Sequence, residues 1–123
     1  MAPRKAENPI AIENHLGKIY ITEEVIATLA GLATNESYGV VGMASRRFSD
    51  GITEILGRES LSRGVEVLWQ DKKLHIGVHI VVGYGTRISE VARNVISQVQ
   101  YQVTKSTGLK VAWVTVNVRS VRV

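Results

Sequence analysis

The stretch that decides the fold is VEVLWQDKKLHIGVHIVV, residues 65–82. Apolar side chains alternate with other types along both halves: Val65, Val67 and Trp69 in the first, and Leu74, Ile76, Val78, Ile80 and Val82 in the second. Closing the halves around a four-residue loop at 70–73 pairs Trp69 with Leu74, Val67 with Ile76 and Val65 with Val78. Directly opposed residues share a sheet face, so all six apolar side chains fall together. The stretch therefore predicts an antiparallel hairpin with one buried face.

A helix and a further strand are predicted after the hairpin. The helix has an apolar stripe at three- and four-residue spacing, ended by Gly108: Ile88, Val91, Ala92, Val95, Ile96, Val99 and Val103. In the strand at 110–119, Ala112, Val114, Val116 and Val118 alternate with Trp113, Thr115, Asn117 and Arg119. The strand at 74–82, this helix and the last strand predict a βαβ unit with a right-handed crossover.

Shorter elements are predicted before the hairpin. A strand at 18–21 precedes a helix that begins after the N-cap residue Thr22 and ends near Asn35. The apolar run 39–44 predicts a buried strand. Ser49 or Asp50 is expected to cap a second helix that holds Ile52, Ile55 and Leu56 and ends at Gly57.

These elements predict one α+β domain, a two-layer sandwich in which helices pack mainly on one face of a mixed sheet. Residues 1–14 contain both prolines and are expected to form a flexible tail, with the domain at 15–123. The opposite face of the sheet carries His75, His79, Val81, Trp113 and Thr115 and is only half polar. We expect either residues 39–60 or another molecule to cover it.

Composition places the chain among ordinary globular domains. It has 123 residues, 45% of them hydrophobic, a net charge of +4 and no cysteine. The lack of cysteine excludes disulfides, thiolate metal sites and thiol catalysis. No apolar run approaches the ~20 residues that span a bilayer, and residues 1–13 lack the apolar core of a signal peptide. We therefore expect a cytoplasmic protein without a membrane span of its own.

Reactive side chains are few and scattered. His75 and His79 share a strand face, but four residues along a strand is ~13 Å, too far for one metal ion. No Gly-x-Ser-x-Gly nucleophile motif is present. The sequence thus predicts no catalytic residue, no metal site, no cofactor and no enzymatic activity.

Three kinds of contact remain as hypotheses. Arg46, Arg47, Trp113 and Thr115 are the predicted protein-contact residues. The turn Gly83-Tyr84-Gly85-Thr86 joins a strand to a helix N-terminus, where it could hold a phosphate or an acyl ligand. The alternative function is RNA binding, with the basic balance attracting phosphates and Trp113 stacking on a base.

Several motifs resemble the alkaline shock protein (envelope stress response) family, in order over residues 16–121. They are Gly17-Lys18-Ile19 with Ile21-Thr22, Tyr38-Gly39-Val40-Val41-Gly42-Met43, Leu56-Gly57-Arg58, Leu61-Ser62-Arg63-Gly64-Val65, Ile80-Val81-Val82-Gly83-Tyr84-Gly85, Ile88-Ser89-Glu90-Val91-Ala92-Arg93-Asn94-Val95, Thr107-Gly108-Leu109-Lys110-Val111 and Val116-Asn117-Val118.

The resemblance implies a non-enzymatic cytoplasmic protein of Gram-positive-type bacteria that serves envelope stress or envelope homeostasis. It further implies self-association into a homo-oligomer and, in some members, recruitment to the inner membrane face by a small membrane-anchored protein. Other members are connected with fatty-acid and phospholipid metabolism. The resemblance supplies no active-site residues.

Overall fold

The computed structural model describes residues 9–47 and 54–123. In chain order, the elements are β1 (Ile10–Asn14), β2 (Gly17–Ile21), α1 (Glu23–Asn35), β3 (Val40–Met43), a 3-10 helix (Arg58–Gly64), β4 (Val65–Gln70), β5 (Lys73–Gly83), α2 (Ile88–Thr107) and β6 (Val111–Arg122). The helices α1 and α2 pack against each other and against one face of the main sheet. The predicted α+β fold is confirmed.

β5 is the central strand of the main sheet. β4 and β3 both pair with it in antiparallel fashion, one after the other along the same edge, and β6 pairs in parallel with the opposite edge. The register of β4 and β5 is the predicted one, with Trp69 opposite Leu74 and Val65 opposite Val78. The predicted order of strand, helix and parallel strand is confirmed as well.

The loop between β4 and β5 is tighter than predicted. Gln70 pairs with Lys73, so only Asp71 and Lys72 form the turn. Their φ angles are 55° and 62°, and a two-residue turn with two positive φ values matches the right-handed twist of the strands it joins. The loop therefore spans two residues, where four were expected.

The two helices begin and end largely where the sequence predicts. The hydroxyl of Thr22 accepts a hydrogen bond from the Val25 N–H at the start of α1, and Gly108 ends α2 with a φ of 78°. The buried stripe of α2 is narrower than predicted, because only Val91, Val95, Val99 and Val103 are buried along it. Ile88 and Ile96 are exposed.

The start of β6 also departs from the predicted alternation. The register with β5 shifts between Leu74 and His75, opposite Val111 and Trp113. This bulge leaves Ala112 exposed and turns Val111 into the core, at 4% exposure. The prediction that Ala112 shares the packed face was wrong because the extra residue shifts the alternation by one position.

The boundary predicted for the flexible tail was wrong. Residues 10–14 form β1, which pairs with β2 from Ile10–Ile21 to Asn14–Gly17. Ile10 is 3% exposed within the core. Burying this side chain stabilises the hairpin of β1 and β2. The composition of residues 1–14, with its prolines and charges, gave no sign of this burial. The rest of the predicted tail, residues 1–8, lies outside the described residues.

The helix predicted to end at Gly57 is only partly within the described residues, since 48–53 are not. Residues 54–57 are not helical, and the Leu56 N–H donates to the Met43 carbonyl at 2.7 Å. Leu56 thus lies in an extended segment beside β3. Gly57 precedes the 3-10 helix, so it marks the start of a helix and not the predicted end of one.

Candidate protein-contact face

The sheet face turned away from the helices is the candidate functional site, and we call it the open face. Strand alternation places His75, Gly77 and His79 of β5 on it, beside Trp113, Thr115 and Asn117 of β6, in that order of pairing. Residues Glu66 and Leu68 of β4 pair with Gly77 and His75 and complete the face.

One end of the open face is uncovered. Trp113 is 64% exposed and Leu68 is 54% exposed, with the half-buried His75 between them in the sheet. A shallow groove of about 320 Å³ runs over this end, and its lining includes Trp113, Leu68, His75, Thr115, Asn117 and Glu66. This surface joins a large aromatic and an aliphatic side chain, a composition typical of protein interfaces.

The other end of the open face is covered by the chain itself. Val81 is fully buried and His79 is 8% exposed. The guanidinium of Arg119 reaches the Ser45 carbonyl, with Nη1 at 3.4 Å, and lies 3.4 Å from His79 Nδ1. The segment after β3 and the Arg119 side chain therefore cover this end. The predicted cover from residues 39–60 is present here and does not extend to Trp113.

Burial at the covered end favours the neutral form of His79. The pKa of its imidazole is lowered from 6.5, chiefly because burial disfavours the charged ring; Glu66 opposes this shift and Arg119 adds to it. Because Arg119 can only donate, Nδ1 is the acceptor and Nε2 carries the proton. Nε2 is buried and lies 3.7 Å from Glu66 Oε2, beyond a good hydrogen bond.

The predicted contact residues are not brought together. Trp113 and Thr115 are exposed on the open face as expected. Arg46 lies beside the start of β4, where its Nη1 donates to the carbonyls of Val65 at 3.3 Å and Ser62 at 3.5 Å. Its guanidinium therefore holds the chain segment after β3 against the start of β4. The neighbouring Arg47 is exposed.

Three backbone donors of the turn at 83–86 already bond to carbonyls of the protein. The N–H groups of Gly83, Tyr84 and Thr86 donate to the carbonyls of Gly39, Arg122 and Gly83. The Thr86 hydroxyl also donates to the Gly83 carbonyl, at 2.7 Å. An anion cradle needs several N–H groups free to converge on one ligand. The geometry therefore does not favour a phosphate site at Gly83, Gly85 and Thr86.

The groove also lacks the electrostatics of a nucleic-acid site. Among the described residues that line it, none is lysine or arginine and one is the acidic Glu66, whereas phosphate contacts dominate nucleic-acid affinity. Within residues 9–47 and 54–123, no three His, Asp or Glu side chains gather as metal ligands. In the same part of the chain, no helix has the length and apolarity to cross a membrane.

Glu66 and Leu68 were absent from the face as first predicted from sequence. The signal was present, because the predicted hairpin register already places both opposite residues of the open face. The sequence gives no such signal that Arg119 and Ser45 cover the other end of the open face. Their contact joins residues 74 positions apart through a long side chain, which alternation does not encode.

Comparisons with known proteins agree on one family. The family model for the alkaline shock protein 23 family, described as having a cell envelope-related function, matches residues 11–123 and so begins within β1. Uncharacterized protein YloU of Bacillus subtilis strain 168 is 48% identical over 115 residues, covering 93% of this chain and 96% of that protein.

Two further relatives extend this similarity. Uncharacterized protein Spy1614 of Streptococcus pyogenes serotype M6 is 34% identical over 115 residues, covering 93% of this chain and 95% of that protein. Uncharacterized protein YqhY of Bacillus subtilis is 32% identical over 106 residues, covering 86% and 78%. No solved structure gave a significant match. The chain belongs to the alkaline shock protein 23 family, whose function is cell envelope-related.

Proposed function

We propose that this protein performs its envelope-related function without catalysis, through protein contacts made by the uncovered end of the open face. The observation that carries the proposal is the exposure of Trp113 and Leu68, 64% and 54%, beside one groove on a rigid sheet. A tryptophan held on a strand loses little conformational freedom on binding and can bury a large area.

The proposed contacts are of two kinds. The chain associates with further copies of itself, and it binds a small membrane-anchored protein that holds it at the inner face of the cell membrane. Two observations support both contacts: membership of an envelope-related family, and an exposed apolar surface of the kind that marks protein interaction sites. A connection with lipid metabolism would arise from the same recruitment to the membrane.

The test compares two aromatic substitutions in cells. Trp113→Ala should release the protein from membrane fractions and from the membrane-anchored protein captured with it after cross-linking. The control is Tyr38→Ala, since Tyr38 is 82% exposed in the loop between α1 and β3, away from the open face. Neither substitution should change the melting temperature by much, because exposed side chains contribute little to stability.

One outcome would contradict the proposed role of the open face. If Trp113→Ala and Tyr38→Ala retain the same membrane fraction and the same captured proteins as the parent chain, the open face is not the contact surface. Binding of mixed single-stranded RNA that weakens steeply with salt would favour the RNA alternative instead.

A further inference from the structure

β6 is an edge strand, and its central segment lacks the usual protection against pairing. Among the described strands its only partner is β5, so no described strand pairs with its outer edge over residues 113–118. At the start of β6, the Val111 carbonyl accepts a hydrogen bond from Gln100 Nε2. Natural sheets protect such edges with lysine, proline or bulges. Between the bulges at its two ends, the segment 113–118 contains neither charge nor proline, and three of its six residues are valine.

The direction of the free backbone groups follows from bonds at the central strand. The His79 carbonyl accepts from the Ala44 N–H on one edge of β5, and the Leu74 N–H donates to the Lys110 carbonyl on the other. Successive strand residues direct these groups to opposite edges, so even-numbered β5 residues bond to β6. The β6 residues opposite them, Val114, Val116 and Val118, therefore direct their own N–H and C=O groups outward.

We infer that β6 pairs in antiparallel fashion with β6 of a second copy, with the two-fold axis at Val116, and that two main sheets thereby become one. This inference rests on the self-association proposed above and assigns that contact to the edge of β6, beside the open face, leaving the open face itself for the membrane-anchored partner. In this register Val116 lies opposite Val116, and Val114 opposite Val118, so the three outward-directed residues of each strand bond to one another. Opposed β-branched side chains stabilise such pairs.

A second copy fits this edge better than a partner of opposite charge. The pairing segment is uncharged, whereas Lys110, Arg119 and Arg122 lie outside it, so nothing within the segment selects an acidic strand. Beside β6, a groove of about 240 Å³ is lined by Ile96, Val111 and Val114. Ile96 of α2 is 36% exposed, and in the symmetric pair the α2 helix of each copy flanks the junction.

The charges beyond the segment give the pairing a distinctive salt dependence. The two-fold axis brings Lys110 of one copy towards Arg122 of the other. Salt screens this repulsion, so association should strengthen as salt is raised, measured by sedimentation of the full chain. Pairing with an acidic strand would weaken under the same conditions, and such weakening would overturn the inference.

Two proline substitutions test the edge. In Val116→Pro the lost N–H points outward, so the β5 pairing persists and self-association should weaken at least about tenfold. The control is Thr115→Pro, because the Thr115 N–H bonds to β5. This variant should lower the melting temperature clearly, and Val116→Pro should lower it much less.

A disulfide cross-link tests the same edge without a proline substitution, so it remains informative if a proline variant folds poorly. The chain has no cysteine, so Val116→Cys introduces a single thiol on a residue whose Cα lies ~5.5 Å from that of its symmetry mate in the paired strands, within the range that a disulfide spans. Mild oxidation should give a covalent dimer rapidly, and the matched variant Tyr38→Cys should not. Comparable rates for the two would overturn the inference.

The outcomes separate this inference from the proposed function. Self-association that survives Val116→Pro, with no preferential cross-link at position 116, rejects the β6 edge and leaves protein contact by the open face standing. Loss of membrane-protein capture in Trp113→Ala, with dimers intact, supports the open face independently. A chain that sediments as a monomer at every concentration and salt rejects both self-association and the paired edge.

Discussion

The two faces of β5 differ in how their residues are buried. On the face towards the helices, Leu74, Ile76, Val78, Ile80 and Val82 are all at most 2% exposed. On the open face burial is uneven along the same strand: Val81 and His79 are buried, and His75 and Gly77 are half-buried. Side-chain burial is therefore uniform on one face of β5 and varies along the strand on the other.

The difference arises from what covers each face. The first face belongs to the core cluster that also contains the buried side chains of α1 and α2, and dense side-chain packing makes burial uniform there. Among the described residues, the open face is covered at one end, where the Arg119 guanidinium meets Ser45 and His79 and Ile55 lies over Gly42, the partner of Val81. Strand alternation therefore decides which face a residue occupies, whereas chain segments distant in sequence decide whether it is covered.

The largest contrast should appear between Ile80→Ala and Leu68→Ala. Ile80 is fully buried and its truncation leaves a cavity, so we expect a loss of about 2–5 kcal/mol in the free energy of unfolding. Leu68 is 54% exposed, and its truncation should cost within about 0.5 kcal/mol. Urea unfolding measures both values; similar costs would mean that the uncovered end is buried in solution.

A smaller effect is expected where Arg119 covers the open face. Arg119→Met keeps the apolar stem and removes the hydrogen bonds to the Ser45 carbonyl and His79 Nδ1. We expect a cost of about 1–2 kcal/mol and a rise in the pKa of His79, because Arg119 lowers that pKa. The rise is measurable by NMR titration of the imidazole.

The control for Arg119→Met is Arg122→Met on the same strand. Arg122 is exposed, so this variant should stay within about 0.5 kcal/mol of the parent chain. It should also leave the His79 titration unchanged. Equal effects of the two substitutions would remove the proposed role of Arg119 as a cover.

The smallest effect concerns pH. The pKa of His79 is lower in the folded state than 6.5, its unfolded value, so the unfolded chain binds more protons between the two values. Stability should therefore be constant above about pH 6.5, decline as pH falls below it, and level off under the folded pKa. Melting temperatures of the parent chain between pH 4 and pH 8 measure this decline.

Two histidine variants test whether His79 causes this decline in stability. His79→Gln should flatten the profile in this range, and His15→Gln should not, because His15 is exposed. A decline that persists in His79→Gln would show that another group is responsible.

Local signals in the sequence predicted most of the fold. The hairpin register, the α1 N-cap at Thr22 and the α2 end at Gly108 each depend on residues close in the chain, and all three are confirmed. The errors have a different origin. Ile10 is buried by contacts with the distant core, and Ala112 is turned outward by a bulge against β5, so neither is encoded in its neighbours.

The candidate site is also predicted only where its residues depend on local sequence patterns. Trp113 and Thr115 follow from alternation along one strand, and both are exposed on the open face. Arg46 is a predicted contact residue and is exposed, but its guanidinium donates to the carbonyls of Ser62 and Val65. A side chain that reaches across 16 or 19 residues is invisible to a pattern of neighbours.

The short turn at Asp71 and Lys72 has a consequence for the order of folding. A two-residue turn lets β4 and β5 zip together within microseconds, since the ends to be joined are adjacent. Pairing β6 with β5 closes a loop that contains the whole of α2, which costs more entropy than the two-residue turn and slows this step. During synthesis, the β6 side of β5 should thus be the last part of the sheet to find its partner, and the nascent chain is most prone to mispairing there.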